Sequence, residues 1–212
     1  MRYRHPLDDI LESSHKLRIL RFLCWKGGVW TGRRLASELD MNPVTAHRAL
    51  RELHRANVLE FHPAGGSFLY SLRREHYLVR EVLEPLFLKE AAAQERLTDL
   101  LRRVFRSKEG KEVVAAVFFG SVARGQEKPL SDIDLLILVR SKKEKEGIES
   151  ALAPVSETIL REFGNALAPY VNTVREAQAK YRRGLPLFQN IIRDQQPVWG
   201  EPLQEILHDQ AA

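Results

Sequence analysis

Cysteine is nearly missing from the 212 residues: Cys24 stands alone, so no internal disulfide forms and no cysteine cluster can hold zinc. No apolar run approaches the roughly 20 residues that a membrane-spanning helix needs. The first ten residues, MRYRHPLDDI, lack the apolar stretch of a signal peptide. The pattern G-x-x-x-x-G-K followed by Ser or Thr does not occur, which excludes a P-loop nucleotide site. These absences lead us to expect a cytoplasmic protein with no membrane partner. What is present is ordinary for a folded chain: 44% hydrophobic and 29% charged residues, enough for one large domain or two small ones.

The formal net charge of +5 is modest, but it is unevenly spread. Residues 1–75 hold 13 Lys or Arg against 8 Asp or Glu, while residues 76–212 hold 20 of each. A basic module beside a neutral one suits contact between the first and a phosphate backbone. A slightly basic solvated surface is the plainer alternative, and charge alone does not separate the two.

Leu7 to Trp25 reads as a helix, with Ile10, Leu11, Leu17, Leu20 and Leu23 near helical spacing and Lys26-Gly27-Gly28 as its stop. Thr31 suits the N-cap of a short second helix that buries Leu35, Ala36 and Leu39. After the turn Asp40-Met41-Asn42 comes a third helix, with Asn42 as N-cap and Pro43 at its first position. Ala46, Ala49, Leu50 and Leu53 fall at i, i+3, i+4 and i+7 on one side of it; Thr45, His47, Arg48, Arg51 and Arg55 lie opposite. Val58–His62 and Phe68–Leu72 read as strands joined by the turn formers Pro63–Ser67, a hairpin. This order of elements resembles the winged helix-turn-helix of bacterial and archaeal transcription regulators. The resemblance implies duplex DNA as a partner, with the third helix in the major groove. Arg48 and Arg51 would then donate to guanine, Thr45 and His47 would touch bases or phosphates, and Arg33 and Arg34 would lie near the backbone. The alternative is that these arginines merely solvate a helix and the fold serves protein contacts.

From Glu75 to Ser107 the pattern is helical, interrupted by Pro85. Leu97, Leu100, Leu101 and Val104 form a stripe that suits either packing within the chain or the seam of a homodimer. Winged helices reading two half-sites need two copies, which is the reason to entertain the seam.

Lys111 to Phe119 contains an apolar run of strand length, followed by Gly120-Ser121-Val122-Ala123-Arg124-Gly125. Ser131-Asp132-Ile133-Asp134 then leads into Leu135–Val139, a second buried strand. A strand ending in Gly-Ser, an Ala-Arg-Gly soon after, and Ser-Asp-x-Asp opening the next strand resemble the nucleotidyltransferase motif of the DNA polymerase β superfamily, in its minimal bacterial and archaeal form. Gly120 would let backbone approach a triphosphate, and Ser121 would add a hydroxyl donor where a helix begins. Residues two apart on a strand point the same way, so Asp132 and Asp134 converge as a site for Mg²⁺ or Mn²⁺. Two such ions would serve nucleotidyl transfer with pyrophosphate as leaving group. Arg124 would pin a phosphate or brace its own turn.

In that superfamily a third carboxylate commonly comes from a later strand. The candidate strand here, Leu167–Val174, holds no acid; Asn172 and Glu176 are the nearest substitutes, the latter also suited to cap a helix. Lys142–Phe163 reads as a crossover helix kinked or divided by Pro154, Glu176–Arg183 and Leu187–Asp194 as short helices, and Pro197–Gly200 as a closing strand before a frayed tail. The expected architecture is two domains of α+β or α/β class: a winged helix-turn-helix over 1–75, a helical connector over 76–108, and a nucleotidyltransferase mixed sheet flanked by helices over 109–212. Two readings of function follow from the resemblance. One is an enzyme moving an NMP from an NTP, with ATP the expected donor, onto an acceptor such as a protein or a tRNA. The other is a DNA-binding regulator whose second domain senses nucleotide or serves as a scaffold. A third, an interaction module within a toxin–antitoxin pair, rests on analogy alone.

Overall fold

A computed structural model describes residues 3–208. The chain divides into two compact units, Met1–Ala93 and Gln94–Ala212.

Unit 1 begins with α1 (Asp8–Leu11) and α2 (Ser14–Lys26). The single helix expected over Leu7–Trp25 is thus broken. Ser13 takes extended backbone angles and its hydroxyl accepts from the His15 N–H, capping α2 afresh. A short strand β1 (Trp30–Thr31), which the sequence pattern did not reveal, precedes α3 (Gly32–Glu38). The Thr31 hydroxyl accepts from the Arg34 N–H as expected of an N-cap. Asn42 caps α4 (Pro43–Arg55) through the Val44 and Thr45 N–H groups, and α4 buries Ala46, Ala49, Leu50 and Leu53. β2 (Leu59–Ala64) and β3 (Ser67–Leu72) pair antiparallel about Gly65-Gly66, both at positive φ, so the turn is shorter than the five residues expected. β1 adds to β3, giving the antiparallel order β1-β3-β2. A π-helical turn (Val79–Leu83) runs into α5 (Glu84–Ala91), whose first turn accommodates Pro85 because no N–H is needed there.

Unit 2 takes all of α6 (Ala93–Phe105) but its first residue, followed by β4 (Val113–Phe118), α7 (Gly120–Ala123) and β5 (Ile133–Val139). Then come α8 (Lys142–Phe163), β6 (Leu167–Thr173), α9 (Val174–Arg182), α10 (Pro186–Asp194), β7 (Gln196–Gly200) and α11 (Leu203–His208). The sheet order is β6-β5-β4-β7; only β5 and β6 run parallel, joined by α8, so the sheet is mixed. Alternation along β4 and β5 sends Ala116, Phe118, Leu135 and Ile137 to the core beneath α6 and α8, and Ala115, Val117, Leu136 and Leu138 to the core beneath α9, α10 and α11.

Three expectations need correction. The residues taken as a connector belong to two cores: Leu78, Val79, Leu83 and Phe87 join unit 1, and Leu97, Leu100, Leu101 and Phe105 join unit 2. The stripe on α6 is therefore used inside its own unit, where it covers the sheet, and does not offer a free seam for a second copy. Of the two effects expected of Pro154, a kink or a division, the division does not occur: α8 runs through it, and Pro154 and Ser150, the residue whose carbonyl loses its donor, are both exposed. After β7 the chain does not fray within the described residues: Leu203, Ile206 and Leu207 of α11 are buried, and the Gln178 amide donates to the Ile206 carbonyl at 2.8 Å.

Candidate functional site

Antiparallel pairing of β4 with β5 brings the end of one strand beside the start of the other, Phe118 opposite Leu135. The Phe119 N–H donates to the Asp134 carbonyl at 3.1 Å, and Gly120 follows at φ +70°. A β-carbon at position 120 would sit 2.1 Å from Asp134 Oδ2, so only glycine allows this approach. Gly120→Ala should therefore cost the 1–2 kcal/mol of a left-handed non-glycine residue, about, and also displace the Asp134 carboxylate. A urea unfolding midpoint equal to that of the wild type would show that the residue is not held in this conformation.

Asp134 stands within β5 on the face of Leu136 and Leu138; Asp132 lies two residues earlier, exposed, just before the strand. Partial burial raises the Asp134 carboxyl above the ordinary carboxylate range, the negative charge of Asp132 adds to this, and Arg124 opposes it. The two groups thus behave as a like-charged pair near a low-dielectric wall. Ser121 is half-buried in α7, and its hydroxyl makes no hydrogen bond among the described residues. Arg124 is held by Asp194 of α10 at 3.3 Å, and its Nε donates to Gln126 Oε1 at 3.3 Å. Asp194 escaped the sequence reading because it is 70 residues away and has no motif of its own.

The register of β6 on β5 decides what stands beside the carboxylates. Ala168 lies opposite Asp134, and Asn172 lies opposite Leu138. Four residues along a strand is about 13 Å, so Asn172 is not the missing acid's substitute. It is buried, and its Oδ1 accepts from Lys180 Nζ at 2.5 Å while Lys180 also donates to the Tyr170 hydroxyl at 2.8 Å. Lys180 is accordingly engaged by both side chains. Glu176 is committed elsewhere too. Its carboxylate accepts from the Thr173 N–H at 2.8 Å and from Lys145 at 3.0 Å, which pull its pKa down to about 2. It caps α9, as the plainer reading had it. Among the described residues no group of three or more His, Cys, Asp or Glu side chains could hold a metal ion together.

In unit 1, His47, Arg48 and Arg51 are exposed on α4 and Thr45 is half-buried; Arg33 and Arg34 are exposed in the first turn of α3. Arg34 lies over the Trp30 ring at 4.6 Å. Arg48 Nε donates to Glu52 Oε1 at 3.0 Å, an exposed i,i+4 pair worth about 0.3–0.5 kcal/mol, too little to withhold the guanidinium from a stronger anion.

A family model described as a nucleotidyltransferase domain matches residues 99–185, which includes Gly120, Ser121, Asp132 and Asp134 and covers less than half of the chain. Among solved structures, the chain is similar to a spectinomycin adenyltransferase from Enterococcus faecialis, crystallised with ATP and spectinomycin. That match has 18% identity and a TM-score of 0.42, over 54% of this chain and 60% of that one. It is also similar to a toxin–antitoxin complex crystallised with AMP-PNP, at 16% identity and a TM-score of 0.35, over 52% of this chain and 78% of that one. No significant match was found among curated proteins. No helix among the described residues is long and apolar enough to cross a membrane.

Proposed function

We propose that unit 2 binds a nucleoside triphosphate, with ATP the expected one, together with Mg²⁺ or Mn²⁺, and transfers the nucleotidyl group to an acceptor. The observation that carries this reading is the close approach of Gly120 to Asp134 within the matched nucleotidyltransferase domain. The donor set fits a hard divalent cation, since two carboxylates on one side of a strand repel each other until such an ion arrives. Asp132 and Asp134 would hold it, and once bound it would supply positive charge to the phosphate oxygens and to the pyrophosphate leaving group. Gly120 keeps the backbone open at the triphosphate, and the unpaired Ser121 hydroxyl donates to a phosphate oxygen. Incubation with each α-labelled NTP, Mg²⁺ or Mn²⁺ and host lysate tests the reading: a labelled protein or tRNA product supports it and identifies the acceptor class.

Ala168 beside Asp134 favours a second reading. With no third acid grouped with Asp132 and Asp134 among the described residues, the site would bind nucleotide without turnover and serve as a sensor or scaffold for a regulator. Metal-linked NTP binding with no labelled product at any NTP would select it.

Unit 1, in this proposal, is a winged helix-turn-helix that docks α4 on duplex DNA; the helix, helix, hairpin order and the exposed Arg48 and Arg51 support it. Binding should weaken steeply with salt, by about −0.9 in log–log slope per phosphate neutralised, and Arg48→Ala with Arg51→Ala should make the slope shallower by roughly two such units. A flat salt response at low ionic strength would defeat the DNA reading. Two copies reading paired half-sites would make the protein a homodimer, in which case the contact lies outside the α6 stripe; sedimentation at micromolar concentration reads this directly.

A further inference from the structure

A cleft of about 360 Å³ opens between α4 and the β2–β3 hairpin; the duplex reading uses His47 and Arg51 on its helical wall but nothing of its aromatic wall. One wall is α4, where His47, Arg51, His54 and Arg55 follow at i, i+4, i+7 and i+8 on a single face. The other wall is aromatic. Phe61 and Phe68 stack with centroids 4.7 Å apart, Tyr70 backs Phe61 at 5.8 Å, and the His54 ring lies 5.1 Å from Phe61.

Three features of this cleft are unusual for a plain surface. No carboxylate lines it. Of the acids nearest in sequence, Glu52 is engaged by Lys16 and Arg48, and Glu60 alternates to the face of β2 opposite Phe61. Arg51 and Arg55 form no ion pair among the described residues, so two permanent charges stand uncompensated beside an apolar floor. Phe68, finally, is 47% exposed and presents ring surface that folding has not covered. An aromatic floor asks for a planar, polarisable ring, and the paired guanidinium groups ask for a bidentate oxyanion at one edge of it. At the small end of the range for ligand sites, the volume admits one such unit and no more.

We propose that this cleft binds one nucleotide, its base stacked on Phe68 and Phe61 and its phosphate held by Arg51 and Arg55. An unpaired residue in a nucleic-acid strand and a free mononucleotide share this chemistry. The proposal shares Arg51 with the duplex reading, but it stands on the aromatic wall of Phe61 and Phe68, which duplex docking leaves unused. Stacking of this kind tolerates any base, so the site discriminates paired from unpaired nucleotides rather than one sequence from another.

The test uses the full chain with three probes: a labelled ten-residue oligothymidylate, a blunt duplex, and AMP. Phe68→Ala should weaken oligothymidylate binding by about tenfold, in line with the loss of one stacked base. Phe68→Trp should restore the affinity and add to the emission of Trp25, Trp30 and Trp199 an increment that the probe quenches beyond any quenching of the wild type. Phe68 is half in solvent, so neither change threatens the fold. Quenching by AMP at concentrations matching the oligonucleotide assigns the site to free nucleotide; quenching by the strand at far lower concentration assigns it to unpaired nucleic acid. If Phe68→Ala binds oligothymidylate as the wild type does, or neither probe quenches Phe68→Trp beyond the wild type, the proposal is overturned. Duplex affinity is read separately: its absence in the wild type, with Phe68-dependent strand binding intact, removes the winged-helix reading and leaves the cleft standing.

Discussion

Asp134→Asn is expected to stabilise unit 2 in metal-free buffer at neutral pH and, in the same protein, to remove metal-linked nucleotide binding. The folded-state pKa of Asp134 is raised, first by burial and then by Asp132. A raised carboxyl favours the protonated form in the folded state. Its stabilising contribution is therefore complete below the unfolded-state value of about 3.9 and is lost as pH rises through the folded value. At neutral pH the wild type carries an ionised group that burial and Asp132 oppose, whereas the amide carries no such charge. The thermal midpoint of the variant should exceed that of the wild type at pH 7 with chelator present, and the gap should close near pH 3. Adding Mg²⁺ and NTP reverses the order. A ligand at a hundred times its dissociation constant contributes about 2.7 kcal/mol to the wild type and nothing to a variant that cannot bind it. Loss of a group outside the metal's direct ligands typically lowers affinity by about 10–100-fold, so loss of a direct ligand should exceed that range. A variant less stable than the wild type in chelator would show that the carboxylate is instead held by favourable contacts, and the metal-site reading would lose its physical basis.

The second large effect lies far from that site. Lys16 is 3% exposed, and its ammonium donates to the Asp9 carbonyl at 2.7 Å and to Glu12 at 2.6 Å, with Glu52 at 3.0 Å. Burial pulls its pKa down, but the hydrogen bonds and charges of Glu12 and Glu52 outweigh this and leave it above the ordinary value. One ammonium thus ties the short α1 and the break before α2 to the helix that carries Arg48. Lys16→Ala removes a buried charge whose partners are partly exposed, so the cost should fall at the low end of the range for broken buried pairs, about 3 kcal/mol. That is a large share of the stability of a small domain. The hydrogen bonds of Arg48 and Lys16 hold the Glu52 carboxyl below its ordinary value. Its contribution is present above the unfolded value of about 4.3 and is lost as pH falls through the folded one. The destabilisation by Lys16→Ala, measured by urea unfolding, should accordingly shrink in acid. A difference that stays constant from pH 7 to pH 3 would mean that Lys16 acts through packing of its methylenes alone.

Lys16 also marks where sequence reading stops. Its position on a helix was legible, yet nothing in the local pattern said that a lysine would be buried, because the carboxylate that makes burial tolerable sits 36 residues away on α4. The same holds in unit 2. Gly120, Ser121, Asp132 and Asp134 were recognisable because a strand end, a glycine and an alternating pair of acids are all local features. That Arg124 would be taken by Asp194 was not, since that contact depends on how α10 returns to α7.

The sequence by itself determined some of the elements and their local features: the apolar stripe of α4, the caps at Thr31 and Asn42, the strands on either side of Gly120 and Asp132, and the basic surplus of the first 75 residues. Each follows from backbone preferences and side-chain period within a few turns of chain. Tertiary structure alone decided the employment of those elements. It gave the α6 stripe to a sheet, opened an aromatic cleft between α4 and the hairpin, and set Ala168 opposite Asp134. The physical reason is register. A strand's neighbours depend on which residues pair across the sheet, and a shift of one position turns every side chain to the opposite face without altering the strand's own alternation.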